Sequence, residues 1–324
     1  MDDLSAVGAP IAAELLPFVR SIQQAQTAAL PITKARMAAE ATRAPWRAGG
    51  PVMAQVLERS APGPAGPIRV RFYDPGEGEG GARAVLIYLH GGGWTMFSLE
   101  THDRLMREYA AGSGLIVVGV DYALSPEAKF PEALEEVGAV VDWLAGQDPS
   151  FGIDAGRLFI GGDSAGANLA LAAAISGRDR HHAPALAGLL LNYGVFLARS
   201  SPEAVAAYGG PEYMLTAEEM ASFWRNYLGD PSQAEDPLAS PLLADLRGLP
   251  PTFLAIAECD ILAEQSVALA KRLRAAGVDT TAETYRGATH SFLEAVSIAP
   301  LSRRAFADEN RWLRARAAAP VSKK

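Results

Sequence analysis

The chain has 324 residues, 49% of them hydrophobic, which suits one large domain with a substantial core. A formal net charge of −8 and a pI near 5.3 exclude the basic surface that nucleic acid or an anionic membrane needs. One cysteine, Cys259, excludes an intrachain disulfide, and no stretch approaches the ~18 apolar residues of a transmembrane helix. The acidic start Met1-Asp2-Asp3 lacks the features of a signal peptide, so a cytoplasmic location is expected. No ligand-spaced cluster of His, Cys, Asp and Glu is seen, so no metal and no cofactor is expected.

In chain order, residues 1–48 read as two amphipathic helices, Ile11–Gln24 and Ile32–Arg43, with Pro17 kinking or restarting the first. Val52–Glu58 and Ile68–Tyr73 flank a Pro/Gly turn and read as an antiparallel pair. The apolar run Ala84–Leu89 reads as a buried strand and leads into His90-Gly91-Gly92-Gly93-Trp94. Helix and strand then alternate: helix His102–Gly112, strand Leu115–Asp121, helix Glu132–Ala145, strand Leu158–Gly161, helix Asn168–Ile175, strand Leu186–Asn192. After an insertion come strand Thr252–Ala257, helix Ser266–Ala276, strand Thr280–Tyr285 and a last helix near Arg303–Ala317. Such alternation predicts a mainly parallel sheet covered by helices on both faces. Between Gly194 and Pro250 no strand is legible. One helix, Ala217–Leu228, is, with Thr216 and Glu219 set as a capping box.

Gly162-Asp163-Ser164-Ala165-Gly166 fits G-x-S-x-G between a strand and a helix, the pattern of a nucleophile elbow. The two glycines are explained by a turn too tight for side chains at those positions. A serine nucleophile needs a base and an orienting carboxylate, which in elbow enzymes follow in the order Ser, Asp/Glu, His. His290 follows the last strand and a turn at Gly287, whereas His181 and His182 sit in a polar run that reads as solvated loop. For the acid, Asp260, Glu258 and Glu264 lie near the end of strand Thr252–Ala257. Asp279 precedes the last strand, at the wrong end of the sheet. The triple glycine after a strand suits backbone N–H donors for an oxyanion: Gly92 and Gly93, joined by Ala165 at the elbow helix. His90 and Asp163 read as structural, and Cys259 as a small buried residue.

Four stretches carry a family resemblance from about Ala84 to Phe292. They are His90–Trp94; Asp121–Glu127 with Phe130-Pro131; Gly161–Ala170; and Ser240-Pro241-Leu242 with Leu249-Pro250-Pro251. Together they resemble the bacterial esterases of the hormone-sensitive-lipase-like group of α/β-hydrolases. The resemblance implies an eight-stranded α/β-hydrolase fold with a helical cap. That divides the chain into a cap segment at 1–48, a catalytic domain at 49–324 and a second cap insertion at about 195–235. It favours Asp260 as the acid beside Ser164 and His290. It implies a serine carboxylesterase acting on short- to medium-chain esters, with a small-molecule ester as its partner. The sequence leaves the oligomeric state, a homodimer included, open.

The pocket candidates are Trp94, Tyr193, Met214, Phe223, Trp224, Ile261 and Phe292. The same machinery also serves amidases and arylformamidases. A ligand-binding member, as in the plant gibberellin receptors, is disfavoured by the presence of His290. The chain departs from the family at Ala167 and Ser291, where glycine is usual, at Asp260-Ile261-Leu262 for Asp-Pro-Leu, and at Tyr193-Gly194 for Tyr-Pro.

Overall fold

The computed structural model describes residues 8–24, 30–76, 81–147, 152–180 and 183–319. Among these, the strands are β1 Gln55–Pro62, β2 Pro67–Asp74, β3 Arg83–Leu89, β4 Ile116–Val120, β5 Ile153–Asp163, β6 Leu186–Asn192, β7 Thr252–Cys259 and β8 Thr280–Thr289. The helices are α1 Leu16–Gln23, α2 Ile32–Arg47, α3 Asp103–Ser113, α4 Glu132–Ala145, α5 Ala165–Asp179, α6 Pro202–Tyr208, α7 Ala217–Tyr227, α8 Ala263–Ala275 and α9 Pro300–Ala318. The eight strands form one sheet in the order β1-β2-β4-β3-β5-β6-β7-β8. β1–β2 and β2–β4 pair antiparallel and every later pair is parallel.

Strand periodicity divides the core. Val85, Ile87 and Leu89 point to one face, where they join residues of α4, α5 and α8. Leu86 and Tyr88 point to the other, with residues of α3 and α9. Because both faces are covered, the central strands read as continuous apolar runs in the sequence. Leu15 and Phe18 of the N-terminal segment are fully buried in the second cluster, so this segment is built into the core and is more than a cover. Pro17 lies in the first turn of α1, after a short 3-10 turn at Ala13–Leu15, and restarts the helix as expected.

Two boundaries differ from the sequence reading in ways that matter to the site. β5 spans Ile153–Asp163, so Ser164 leaves the strand directly. β8 continues through Gly287 to Thr289, and His290 follows at once. Gly287, with φ +73°, is an irregularity within the ladder and not a strand-ending turn. The register with β7 shifts between Ala257 and Cys259 to absorb it. Ala12 N–H donates to Gly287 O at 2.9 Å, so the same irregularity anchors the N-terminal segment. The insertion carries α7 with the expected capping box, and also α6, a seven-residue helix too short to leave a periodic signal.

Candidate active site

Ser164 sits between β5 and α5 at φ 52°, ψ −118°, a region costly for a side-chain-bearing residue. A Cβ at Gly162 or at Gly166 would strike Leu89 O, the last carbonyl of β3. Those glycines are therefore fixed mainly by how closely the elbow rides on β3. The mutual clash expected from the turn itself is secondary, at 2.8 Å between a Gly162 Cβ and Gly166 C. Trp94, Phe97, Tyr193 and Ser291 are the other positive-φ non-glycine residues among those described. Trp94 and Phe97 lie on the glycine loop, and Tyr193 and Ser291 beside His290, so backbone strain is concentrated here.

Ser164, His290 and Asp260, the acid favoured by the family resemblance, come together. His290 Nε2 lies 2.9 Å from Ser164 Oγ, and His290 Nδ1 lies 2.7 Å from Asp260 Oδ2. Asp260 follows β7 directly, and its other oxygen accepts from Leu262 N–H at 3.0 Å, which locks the carboxylate. All three side chains are buried. The rival acids are engaged elsewhere. Glu258 accepts from Gly287 N–H at 2.8 Å, and Glu264 accepts from Ser201 N–H and Oγ–H at 2.7 and 2.6 Å, tying α8 to the cap of α6. Asp279 pairs with Arg316. His181 and His182 lie outside the described residues.

The glycine loop is oriented from behind. His90 Nδ1 is 2.7 Å from Gly91 O, and Gly92 O accepts from Thr95 N–H at 3.0 Å and Met96 N–H at 2.9 Å. In a planar trans peptide the N–H opposes the C=O, so these bonds turn the N–H groups of Gly92 and Gly93 to the other side. Among the described residues neither N–H has a protein acceptor. Ala165 opens α5, where helix geometry leaves its N–H without an intrahelical partner. Burial depresses His90 to about 4, so it is neutral near pH 7 and its Nδ1–H can hold Gly91 O.

Asp163 is the hub beneath the loop. Its Oδ1 accepts from Tyr88 Oη–H at 3.0 Å and Gly91 N–H at 3.1 Å, and its Oδ2 lies 3.3 Å from His102 Nε2. No side chain fits at Gly91, because that carboxylate occupies the space. Burial opposes the Asp163 charge, yet His102 and the Tyr88 hydrogen bond hold its carboxyl below the ordinary range. In turn, burial works against the His102 cation while Asp163 holds its imidazole above the ordinary value. The structural reading of His90 and Asp163 is consistent with these contacts.

Two supports were not singled out from sequence. Tyr122 stacks on His90 and donates to its carbonyl at 2.6 Å, and its signal lay inside the Asp121–Glu127 stretch. His102 left no signal, since its partner is 61 positions away.

The pocket candidates separate by exposure. Phe223 and Met214 are half-buried, and a Cβ at Gly93 would run into the Phe223 ring. Trp94 is fully buried, stacked on Tyr227 with ring centroids 4.1 Å apart and 4.7 Å from Trp224, so both tryptophans fasten α7 to the glycine loop. Tyr193 packs edge-on to His290 at 5.1 Å and to Phe292 at 5.7 Å. Ile261 is buried in the core cluster on the α5 side. Cys259 is buried and unpaired, its Sγ 3.2 Å from Ala9 O.

Three departures from the family pattern, at Ala167, Gly194 and Ser291, have a physical explanation. A Cβ at position 194 would strike the Phe196 ring and come 2.8 Å from Ala167 Cβ, so the bare Gly194 leaves room for both side chains. Ser291 holds φ 59°, which accounts for the glycine usual at that position.

The sequence matches, over residues 86–294, the family described as alpha/beta hydrolase fold. It is 35% identical over 277 residues to the acetyl esterase of Salmonella dublin, covering 85% of this chain and 84% of that protein. Among solved structures, the esterase of the hyperthermophilic archaeon Pyrobaculum calidifontis is similar at 35% identity and a TM-score of 0.89, over 96% of this chain and 100% of that one. A thermostable carboxylesterase cloned from a metagenomic library is similar at 32% identity and a TM-score of 0.86, over 90% and 99%. The chain belongs to the α/β-hydrolases, in the hormone-sensitive-lipase-like esterase group.

Proposed function

We propose that Ser164, His290 and Asp260 form the catalytic triad of a serine carboxylesterase, with Gly92, Gly93 and Ala165 as its oxyanion hole. The observation that carries this is the hydrogen-bonded line from Ser164 Oγ through His290 to Asp260, at 2.9 and 2.7 Å. Ser164 Oγ attacks the ester carbonyl carbon as its proton passes to His290 Nε2. Asp260 holds Nδ1–H and balances the imidazolium. The three N–H groups receive the negative oxygen, where preorganised donors in a water-poor site act most strongly. His290 returns the proton to the leaving alcohol. Water then attacks the acyl-enzyme by the same route and releases the acid.

Carboxylester hydrolysis is the activity of the chain's family relatives and structural neighbours, and this chain is a member of that enzyme class. The substrate is a small ester; short to medium acyl chains, with Phe223 and Met214 facing the bound chain, are part of the proposal. So is a cap made of residues 1–48 and the insertion at about 195–235. The cap is supported by Gln23 Nε2 donating to Pro211 O at 2.7 Å and Ala9 N–H donating to Tyr208 Oη at 3.1 Å. Among the described residues no helix is long and apolar enough to cross a membrane. A cytoplasmic location and a homodimer complete the proposal, to be read by fractionation and sedimentation.

The functional test is stopped-flow hydrolysis of p-nitrophenyl esters from acetate to dodecanoate, beside matched anilides. A stoichiometric burst and a preference for the shorter esters are expected. Anilides cleaved faster than esters would overturn the ester assignment.

A further inference from the structure

The glycine loop is gripped by a helix that supplies no reacting group. Arg36, Glu40 and Arg43 of α2 recur at i, i+4 and i+7 and so lie on one helix face. Arg36 donates from Nε to Thr95 O and from Nη2 to Ser125 O, both at 2.8 Å, and makes paired bonds to Glu127 at 2.9 and 2.7 Å. Glu40 accepts from Ser98 Oγ–H at 2.6 Å. The Arg43 guanidinium lies 4.9 Å from the centroid of Phe97, the ring that a Cβ at Gly92 would meet at 2.8 Å.

These contacts converge on Thr95. Its N–H bonds Gly92 O at 3.0 Å, its hydroxyl bonds Gly93 O at 2.9 Å, and its own carbonyl is the one Arg36 holds. Gly92 at φ +114° and Gly93 at φ +58° have no side chain to restrict them, so the peptide between them depends on the bonds that Thr95 and Met96 give Gly92 O and on whatever holds Thr95. The planar guanidinium makes four bonds to three partners in one fixed fork, which a lysine ammonium with three N–H donors cannot reproduce.

We propose that Arg36 is a positioning residue for the oxyanion hole, acting through Thr95 on the Gly92–Gly93 peptide. The inference rests on the esterase reading above and adds a role to α2: it braces the loop that stabilises the transition state, besides covering the site.

The test compares Arg36→Met, Arg36→Lys and Glu127→Gln. The readouts are kcat and KM on p-nitrophenyl butyrate and the affinity for an alkyl trifluoromethyl ketone beside its methyl ketone analogue. The trifluoromethyl ketone accepts Ser164 Oγ at its carbonyl carbon and places an oxyanion in the hole, with the serine proton on His290.

Arg36→Met should lower kcat about ten- to hundredfold, below the ~10²–10³ of losing a whole donor, with KM within about threefold. Trifluoromethyl ketone affinity should fall by a similar factor and methyl ketone affinity should hold. Arg36→Lys should be intermediate. Glu127→Gln removes only an exposed ion pair and should stay within about twofold. An unchanged kcat and unchanged trifluoromethyl ketone affinity in folded Arg36→Met, or a loss confined to KM, would overturn the brace. If Arg36→Met does not fold, Thr95→Val, which cuts the bond to Gly93 O, must show the same paired loss, and a normal kcat there overturns the brace equally. A wild-type activity that survives Ser164→Ala would instead sink the esterase reading, whereas Ser164-dependent activity with a normal Arg36→Met would sink the brace alone.

Discussion

The two halves of the site are held in different ways. Ser164, Asp260 and His290 each follow the end of a sheet strand, and short contacts of their own fix them: Asp260 to Leu262 N–H, and His290 to both neighbours. The glycine loop has local ties from His90, Thr95 and Met96, and these need backing in turn. That backing comes from Tyr122, from Asp163 with His102, and from α2, outside the loop. The strand ends can place the side chains proposed to react because the hydrogen-bonded ladders fix where each strand stops. A loop of three glycines can approach the reacting atom only by giving up side chains, and it must then be steadied by its neighbours.

The largest effect lies on the triad side. Asp260→Asn should lower kcat by roughly 10³–10⁴, since an amide neither fixes the histidine tautomer nor balances its charge. Glu264→Gln should leave kcat nearly intact, because Glu264 holds Ser201 and no part of the triad. A larger loss at Glu264 than at Asp260 would reverse these roles.

The next effect sharpens the loop side. The Asp163–His102 pair is buried, with Asp163 held below its ordinary value of 3.8 and His102 above its ordinary 6.5. The Asp163 contribution is present above 3.8 and fades as pH falls through the lower folded value. The His102 contribution is full below 6.5 and is lost as pH rises through the higher folded value. The pair should therefore stabilise most between those limits. His102→Gln should cost about 1–3 kcal/mol near pH 5.5, the range for a disrupted buried hydrogen-bonded pair, and less at pH 9. Thermal unfolding of both proteins across that range checks it. A deficit that grows with pH would contradict the charged pairing.

The smallest effect concerns Ser291, whose left-handed backbone sits next to His290. Ser291→Gly removes that strain but adds freedom to the unfolded chain, for a net gain of about 0.5 kcal/mol. A rise in Tm with unchanged kcat is expected. A loss of stability would mean that the serine side chain has a role of its own.

This division also marks what the sequence made legible. β6 and α4 have the bounds read from apolar runs and helical spacing, each written within a few consecutive residues. Ser164 was legible from its motif and His290 from chain order, whereas Asp260 was separated from Glu258 and Glu264 only by the family resemblance. The end of β8 was misplaced because Gly287 reads as a turn until its partner strand is seen. Arg36 and His102 were illegible as supports for another reason. Their meaning depends on Thr95 and Asp163, 59 and 61 positions away, and no local pattern records such a meeting. Leu15 and Phe18 looked like the apolar stripe of a covering helix, since periodicity tells that a face is buried and not what it is buried against.

The central claim, that Ser164 is the nucleophile of a covalent esterase, is tested most directly by stoichiometric labelling with an organophosphate. Intact mass followed by peptide mapping should show a single adduct on Ser164 that tracks the loss of activity. The Ser164→Ala variant should take no label, keep its fold and lose roughly 10⁴–10⁶ in kcat. A label on another residue, or ester hydrolysis that persists in folded Ser164→Ala, would contradict the account.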